Sequence, residues 1–242
     1  MLLKERKKMK RSAFTLAETL ITLVVIGVVA AVTIPVIEIK HQKDQTVIQL
    51  KKAYSDFARA ALLSQTIHGD IASWDFSLNN HDFFDTYFYP YINLSEQSIS
   101  DAKKDNIRYL QTSGQEETGL LIMRDQGTIV ELMSGCQIFT YPLNYGGTGS
   151  EHTRRCYAID INGYRKPNKF GRDLFMLCVD EERGVIPHGW NDNESANVKK
   201  TRQQLLNGPS QYSYQCSKKA RGMWCAAVIM NDGWQIKDDY PW

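Results

Sequence analysis

The sequence predicts an α+β protein: a long N-terminal helix, membrane-spanning in its first half, packed on the antiparallel β-sheet of a globular head. Three observations carry that expectation. The first is an apolar run with no charge from Thr19 to Ile37. The second is helical spacing that continues into a polar stretch through Val47, Leu50, Tyr54, Phe57, Ala58, Ala61 and Leu62. The third is a series of short apolar segments beyond Gly119, separated by stretches containing Gly, Asn and Pro, the pattern of closely connected antiparallel strands.

The apolar run sets the N-terminal element. Its 19 uncharged residues would extend roughly 28 Å as a helix, close to the hydrocarbon thickness of a bilayer. Six basic residues (Lys4, Arg6, Lys7, Lys8, Lys10 and Arg11) and one acid precede it, so the N-terminus is expected in the cytosol and the rest of the chain outside. A cleaved secretory signal begins in the same way. Its apolar core, however, is usually about 7–15 residues and closes on an Ala-x-Ala site, and Ala30-Ala31-Val32-Thr33 lacks that spacing. Glu18 is the only ionisable residue between Phe14 and Ile37. A lone carboxylate in such a segment suggests a functional partner.

The apolar positions between Val47 and Leu62 recur every three or four residues, which marks one stripe on an otherwise wet helix. One helix is therefore expected over residues 14–68, ending at Gly69, where glycine supplies the left-handed cap. Pro35 removes one backbone donor, and two helices broken there form the alternative. The chain divides into a basic leader, 1–13, the helix, 14–68, and a head, 69–242.

Within the head, Phe84, Tyr87 and Phe88 share one face of a short helix, an aromatic core patch. Strands are expected at Leu120 to Met123 and Thr128 to Met133 around the turn Asp125-Gln126-Gly127. Others follow at Gln137 to Tyr141, Cys156 to Ile161 and Leu174 to Val179.

Charge and cysteines narrow the function. The formal charge is +2, but without the leader the chain holds 23 basic against 26 acidic residues, −3. No basic surplus remains to suggest nucleic-acid binding. Five cysteines lie beyond the apolar run, where an oxidising compartment allows disulfides, and spacing alone leaves their pairing open. Cys216 with Cys225 is favoured across a Gly-containing turn, and Cys136 with Cys156 across a polar loop. Cys178 is then the odd one, a small buried hydrophobe within an apolar strand.

The sequence carries no recognisable catalytic pattern. The five histidines are scattered among polar segments, and no Gly-x-Ser-x-Gly, His-Glu-x-x-His or Cys-x-x-Cys motif occurs. Gly146-Gly147-Thr148-Gly149 lacks the Lys-Ser or Lys-Thr of a phosphate loop. The expectation is a non-enzymatic subunit.

The N-terminal residues carry a resemblance. Ser12-Ala13-Phe14-Thr15-Leu16-Ala17-Glu18, followed by the apolar run with Gly27 and Pro35, resembles the N-terminus of type IV pilins and of type II secretion pseudopilins. The resemblance implies a pilin-like fold and cleavage between Ala13 and Phe14 by a prepilin peptidase, with methylation of the freed Phe14 amine. Ala13 stands where that family usually has Gly. It further implies a bacterial inner-membrane anchor with the head outside, and later an extracytoplasmic filament of this or related subunits in which Glu18 pairs with a neighbour's Phe14 amine. A membrane-tethered extracytoplasmic ligand-binding module is the alternative, and an anchored enzyme the third reading.

Two head segments resemble pseudopilin-like proteins as well. In Asp160-Ile161-Asn162-Gly163 through Gly171-Arg172-Asp173, the side chains of Asp160, Asn162 and Asp173 offer oxygen ligands to calcium, with Gly163 allowing a sharp turn. An Asx-rich turn bonding its own backbone is the competing reading. No other cofactor is expected. In the C-terminal stretch from Cys216 to Trp242, Trp224 and Trp234 are expected to cover a core edge rather than hold a ligand.

Overall fold

The computed structural model describes residues 15–95, 107–119, 129–140, 154–190, 199–210 and 213–242. It is α+β: one long helix, α1 (Leu16–His68), precedes a head containing a five-stranded antiparallel sheet. The chain forms two compact units, residues 1–43 and 44–242.

In the first unit α1 runs without interruption through Pro35, which removes the two-helix alternative. Residues 15–42 are exposed except Ala30, which is half-buried. The helix is long and apolar enough to cross a membrane by length and composition.

In the second unit the same helix buries a single stripe: Thr46, Leu50, Ala53, Phe57, Ala60, Ala61 and Ser64. Four of the seven are Ala or Ser, which lets neighbouring backbone come close. Val47, Tyr54 and Ala58 flank the stripe, half-buried. Leu62, expected in the stripe, is 65% exposed. Five residues beyond Phe57 is a rotation of about 140° at 3.6 residues per turn, which turns Leu62 away from the head. At its end Gly69, with φ 77°, donates its N–H to Gln65 O at 3.0 Å, the cap read from the sequence.

Helix α2 (Asn80–Tyr87) is started by Asn79, whose side chain accepts from the Asp82 N–H. It delivers Phe83, Phe84 and Tyr87 to the core, with Phe88 following. Phe57 of α1 stacks on Phe88 with centroids 4.3 Å apart, and Tyr157 meets Phe57 edge-on at 5.6 Å. Such pairs add about 0.5–1.5 kcal/mol each beyond area burial. The aromatic stretch is core, as its spacing implied.

The strands follow in chain order as a meander: β1 (Ile129–Glu131), β2 (Gln137–Phe139), β3 (Arg154–Asp160), β4 (Leu174–Asp180) and β5 (Gly184–Pro187). β5 was not anticipated. It is four residues long and ends on Pro187, and its turn is built by Asp180 Oδ1 accepting from the N–H groups of Glu182 and Arg183. The expected strand at Leu120 to Met123 and the turn at Asp125-Gln126-Gly127 lie outside the described residues.

β3 and β4 are buried along almost their whole length because both faces of the sheet are covered. Tyr157, Ile159, Phe175, Leu177 and Val179 join the cluster that contains the α1 stripe. Cys156, Ala158, Leu174, Met176 and Cys178 join a second cluster with Tyr109, Phe170 and Met223. Arg155 is buried within this strand. Its guanidinium donates to the carbonyls of Leu78, at 2.8 Å, and Phe76. Backbone oxygens thus replace its water, and burial lowers its pKa.

Candidate functional site

The residues singled out in the sequence fall into three places. The first is the start of α1. Ala13, Phe14 and the leader lie outside the described residues. Thr15 and Glu18 form a reciprocal capping pair: Glu18 Oε2 accepts from the Thr15 N–H at 2.8 Å, while Thr15 Oγ1 accepts from the Glu18 N–H at 3.3 Å. The Thr15 hydroxyl also donates to Glu18 Oε2 at 2.9 Å. Thr-x-x-Glu before an apolar run is a capping box, legible in the sequence but not read there. Glu18 therefore has a local role at the helix start, satisfying donors that would otherwise lack partners.

The second place is the cysteines. Cys216 pairs with Cys225, as expected. The pairing of Cys136 with Cys156 is incorrect: Cys156 bonds Cys178, and Cys136 is a free, buried thiol. The reason is register. Cys156 and Cys178 are directly opposed across β3 and β4, with Cα atoms 4.0 Å apart. Two expected strands folded symmetrically about the loop near residue 167 would have revealed it. Burial raises the Cys136 thiol pKa well above its ordinary value, which keeps it protonated and inert.

The third place is the loop between β3 and β4. It brings Asp160, Asn162 and Asp173 together. The Asn162 N–H donates to Asp160 Oδ1 at 3.1 Å, and Asn162 Nδ2 donates to Asp173 Oδ2 at 3.3 Å. Asp173 also accepts from the N–H groups of Asn168, at 2.8 Å, and Lys169, at 2.5 Å. These bonds are those of an Asx-rich turn. Burial raises the pKa of both carboxyls, and the neighbouring Asp173 raises that of Asp160 further. Among the described residues no group of three or more His, Cys, Asp and Glu converges as a metal-ligating set.

The C-terminal segment locks this loop in place. The Tyr240 hydroxyl donates to Gly171 O at 2.6 Å. Gly171 has φ 82°, and a Cβ there would lie 2.9 Å from Cys225 Sγ, so only glycine fits both the conformation and the space. Helix α3 (Arg202–Asn207) opens with a Thr201–Gln204 capping box, and α4 (Cys225–Asn231) carries the disulfide. Arg202 bridges Asp232, at 2.6 Å, and Asp239, at 2.5 Å. Trp224 is buried and Trp234 packs on Tyr54 at 5.6 Å, so both tryptophans cover core.

Fold and site together define an α+β protein with an apolar N-terminal helix and two disulfides in its head. The model of a family of unknown function, DUF6613, matches residues 37–242, and the chain belongs to that family. No curated protein and no solved structure matches it.

Proposed function

We propose that the protein is a pilin-like subunit, a pseudopilin or minor pilin, held in the bacterial inner membrane by α1 with its head outside and later built into a filament. The observation that carries this reading is the exposed apolar surface of α1 from Leu16 to Ile37, with one carboxylate, Glu18, at its start. Lipid covers such a surface in a membrane, and other copies cover it in a fibre. Little hydrophobic free energy is lost on moving between them.

Glu18 then sets the register. In the isolated chain its carboxylate is engaged by Thr15. In the filament it would exchange that cap for the Phe14 amine of a neighbouring subunit, freed by cleavage after Ala13. Giving up the cap costs about 1 kcal/mol, and the ion pair in an apolar setting opposes that cost, less its desolvation.

Two measurements test the proposal. Mass spectrometry of the membrane-inserted protein is expected to find a methylated amine on Phe14 as the first residue. An intact leader would favour a tethered binding module instead. Crosslinking of assembled material should show Glu18→Ala inserting normally but incorporating at least about tenfold less, the equivalent of 1.4 kcal/mol. Thr15→Ala loses the cap and should keep most incorporation. Equal losses in the two variants would mean that Glu18 serves only its own helix.

A further inference from the structure

The chain between Ile161 and Arg172 concentrates positive charge: it holds Arg165, Lys166, Lys169 and Arg172 and no acid. Arg165 and Lys166 are exposed, and Lys169 and Arg172 are half-buried. The Arg172 N–H donates to Lys169 O at 3.0 Å, which fixes these two residues in one turn. Burial lowers the Lys169 pKa, and the neighbouring cations Arg172 and Lys218 lower it further, so three like charges share this face. Among the described residues none of the three is in an ion pair. Asp173 accepts the N–H groups of Asn168 and Lys169 instead, and Asp239 is held by Arg202.

An aromatic side chain completes the face. The Arg172 guanidinium lies 4.3 Å from the centre of the Trp242 ring, a cation–π contact. Trp242 is half-buried, and its indole N–H has no acceptor among the described residues. Helix α1 fixes where this pair sits, because the Thr46 hydroxyl donates to Arg172 O at 3.1 Å. Thr46 stands nine residues beyond Ile37, the last residue of the uncharged run. Nine residues of helix hold the two within roughly 14 Å of each other. The polar layer of a bilayer covers roughly 5–8 Å of that on each side of the hydrocarbon, and long basic side chains reach toward it.

We propose that this face binds the phosphate headgroups of anionic phospholipid, with Lys169, Arg172 and Lys218 as the cations and Trp242 as the interfacial aromatic. Arginine offers phosphate a planar fork of donors, and lysine a point charge. Tryptophan suits the membrane–water boundary because its ring is apolar and its N–H polar. Free phosphate and nucleic acid present the same anionic group, but only the membrane is kept within reach by the chain itself. Reach decides the matter, since attraction between exposed charges fades over roughly 8–10 Å. The inference rests on α1 crossing the membrane and is independent of cleavage and filament assembly.

The test uses the full chain reconstituted in vesicles of phosphatidylcholine, alone or with about one-third phosphatidylglycerol. Both carry a trace of headgroup-spin-labelled lipid as a fluorescence quencher. Tryptophan quenching should be stronger with phosphatidylglycerol. Trp242→Phe should lose most of that increment, and Lys169→Gln combined with Arg172→Gln should cut it at least about fivefold. Lys218→Gln, at an exposed site where folding is not at stake, should lower it by about twofold or more. Arg59→Gln, exposed on α1 thirteen residues beyond Thr46, should leave it unchanged. Equal quenching in both vesicles, or a loss in Arg59→Gln as large as in the double variant, would overturn the assignment. So would displacement by about 10 mM inorganic phosphate or by a short DNA duplex at matched ionic strength. Alkaline carbonate washing of the same vesicles separates the two readings. A retained chain without the increment overturns this inference alone, and an extracted chain overturns the membrane reading with it.

Discussion

Two stretches of α1 obey the same backbone rules and meet opposite surroundings. From residue 16 to 42 the apolar side chains point in every direction and, except for Ala30, all are exposed. From Thr46 to Ser64 only a stripe is buried, and it is built mostly from small residues around Phe57 and Leu50. A stripe is the mark of a helix covered on one side by its own chain. Apolar residues all round mark a helix covered by something else, a membrane or other helices. The difference lies in where apolar residues are placed around the helix, not in how many there are.

The largest expected effect breaks that contrast directly. Phe57→Ala should destabilise the head by about 3–5 kcal/mol, read as a lower melting temperature of the full chain in detergent. Val25→Ala should change it by less than about 0.5 kcal/mol. A comparable loss from Val25→Ala would show that the first stretch is packed on its own chain after all.

The disulfides come next. Replacing Cys156 and Cys178 together with Ala should cost about 3 kcal/mol for the loop of 22 residues they close. Peptide mapping without reduction should link Cys156 to Cys178 and leave Cys136 free.

Sharper tests lie within the stripe. Ala60→Leu, at a site with no exposure, should overpack the interface and cost about 1–3 kcal/mol. Leu62→Asn, at a site facing solvent, should change stability by less than about 0.5 kcal/mol. If Leu62→Asn proved the worse of the two, the buried face would be misassigned.

The smallest effect concerns the C-terminal clamp. Hydrogen bonding from Arg202 lowers the Asp239 pKa. A depressed carboxylate contributes stability above its unfolded pKa and loses it as pH falls through the folded value. Acid melting curves of Asp239→Asn should therefore fall less steeply below about pH 4 than those of the wild type. Identical slopes would mean that the exposed bridge adds nothing measurable.

Much of the fold was legible because local signals agreed. Helix continuity, the Gly69 cap, the aromatic core patch, β3 and β4 all follow from spacing and turn residues. Leu62 was misplaced because periodicity gives a stripe only to within about a residue on either side. β5 was missed because four residues ending in Pro carry almost no periodic signal. The capping role of Glu18 was overlooked although Thr15 stands three residues before it.

What the sequence determined by itself was the length and apolarity of α1, the presence of an antiparallel α+β head, and a loop rich in Asp and Asn. Tertiary structure decided the partner of Cys156, the burial of both sheet faces, and the bonds by which Asn162 links Asp160 to Asp173. The physical reason is range. Helix spacing and turn chemistry act over a few neighbouring residues, whereas a disulfide partner or a buried carboxylate pair depends on strand register, which only the closed sheet fixes.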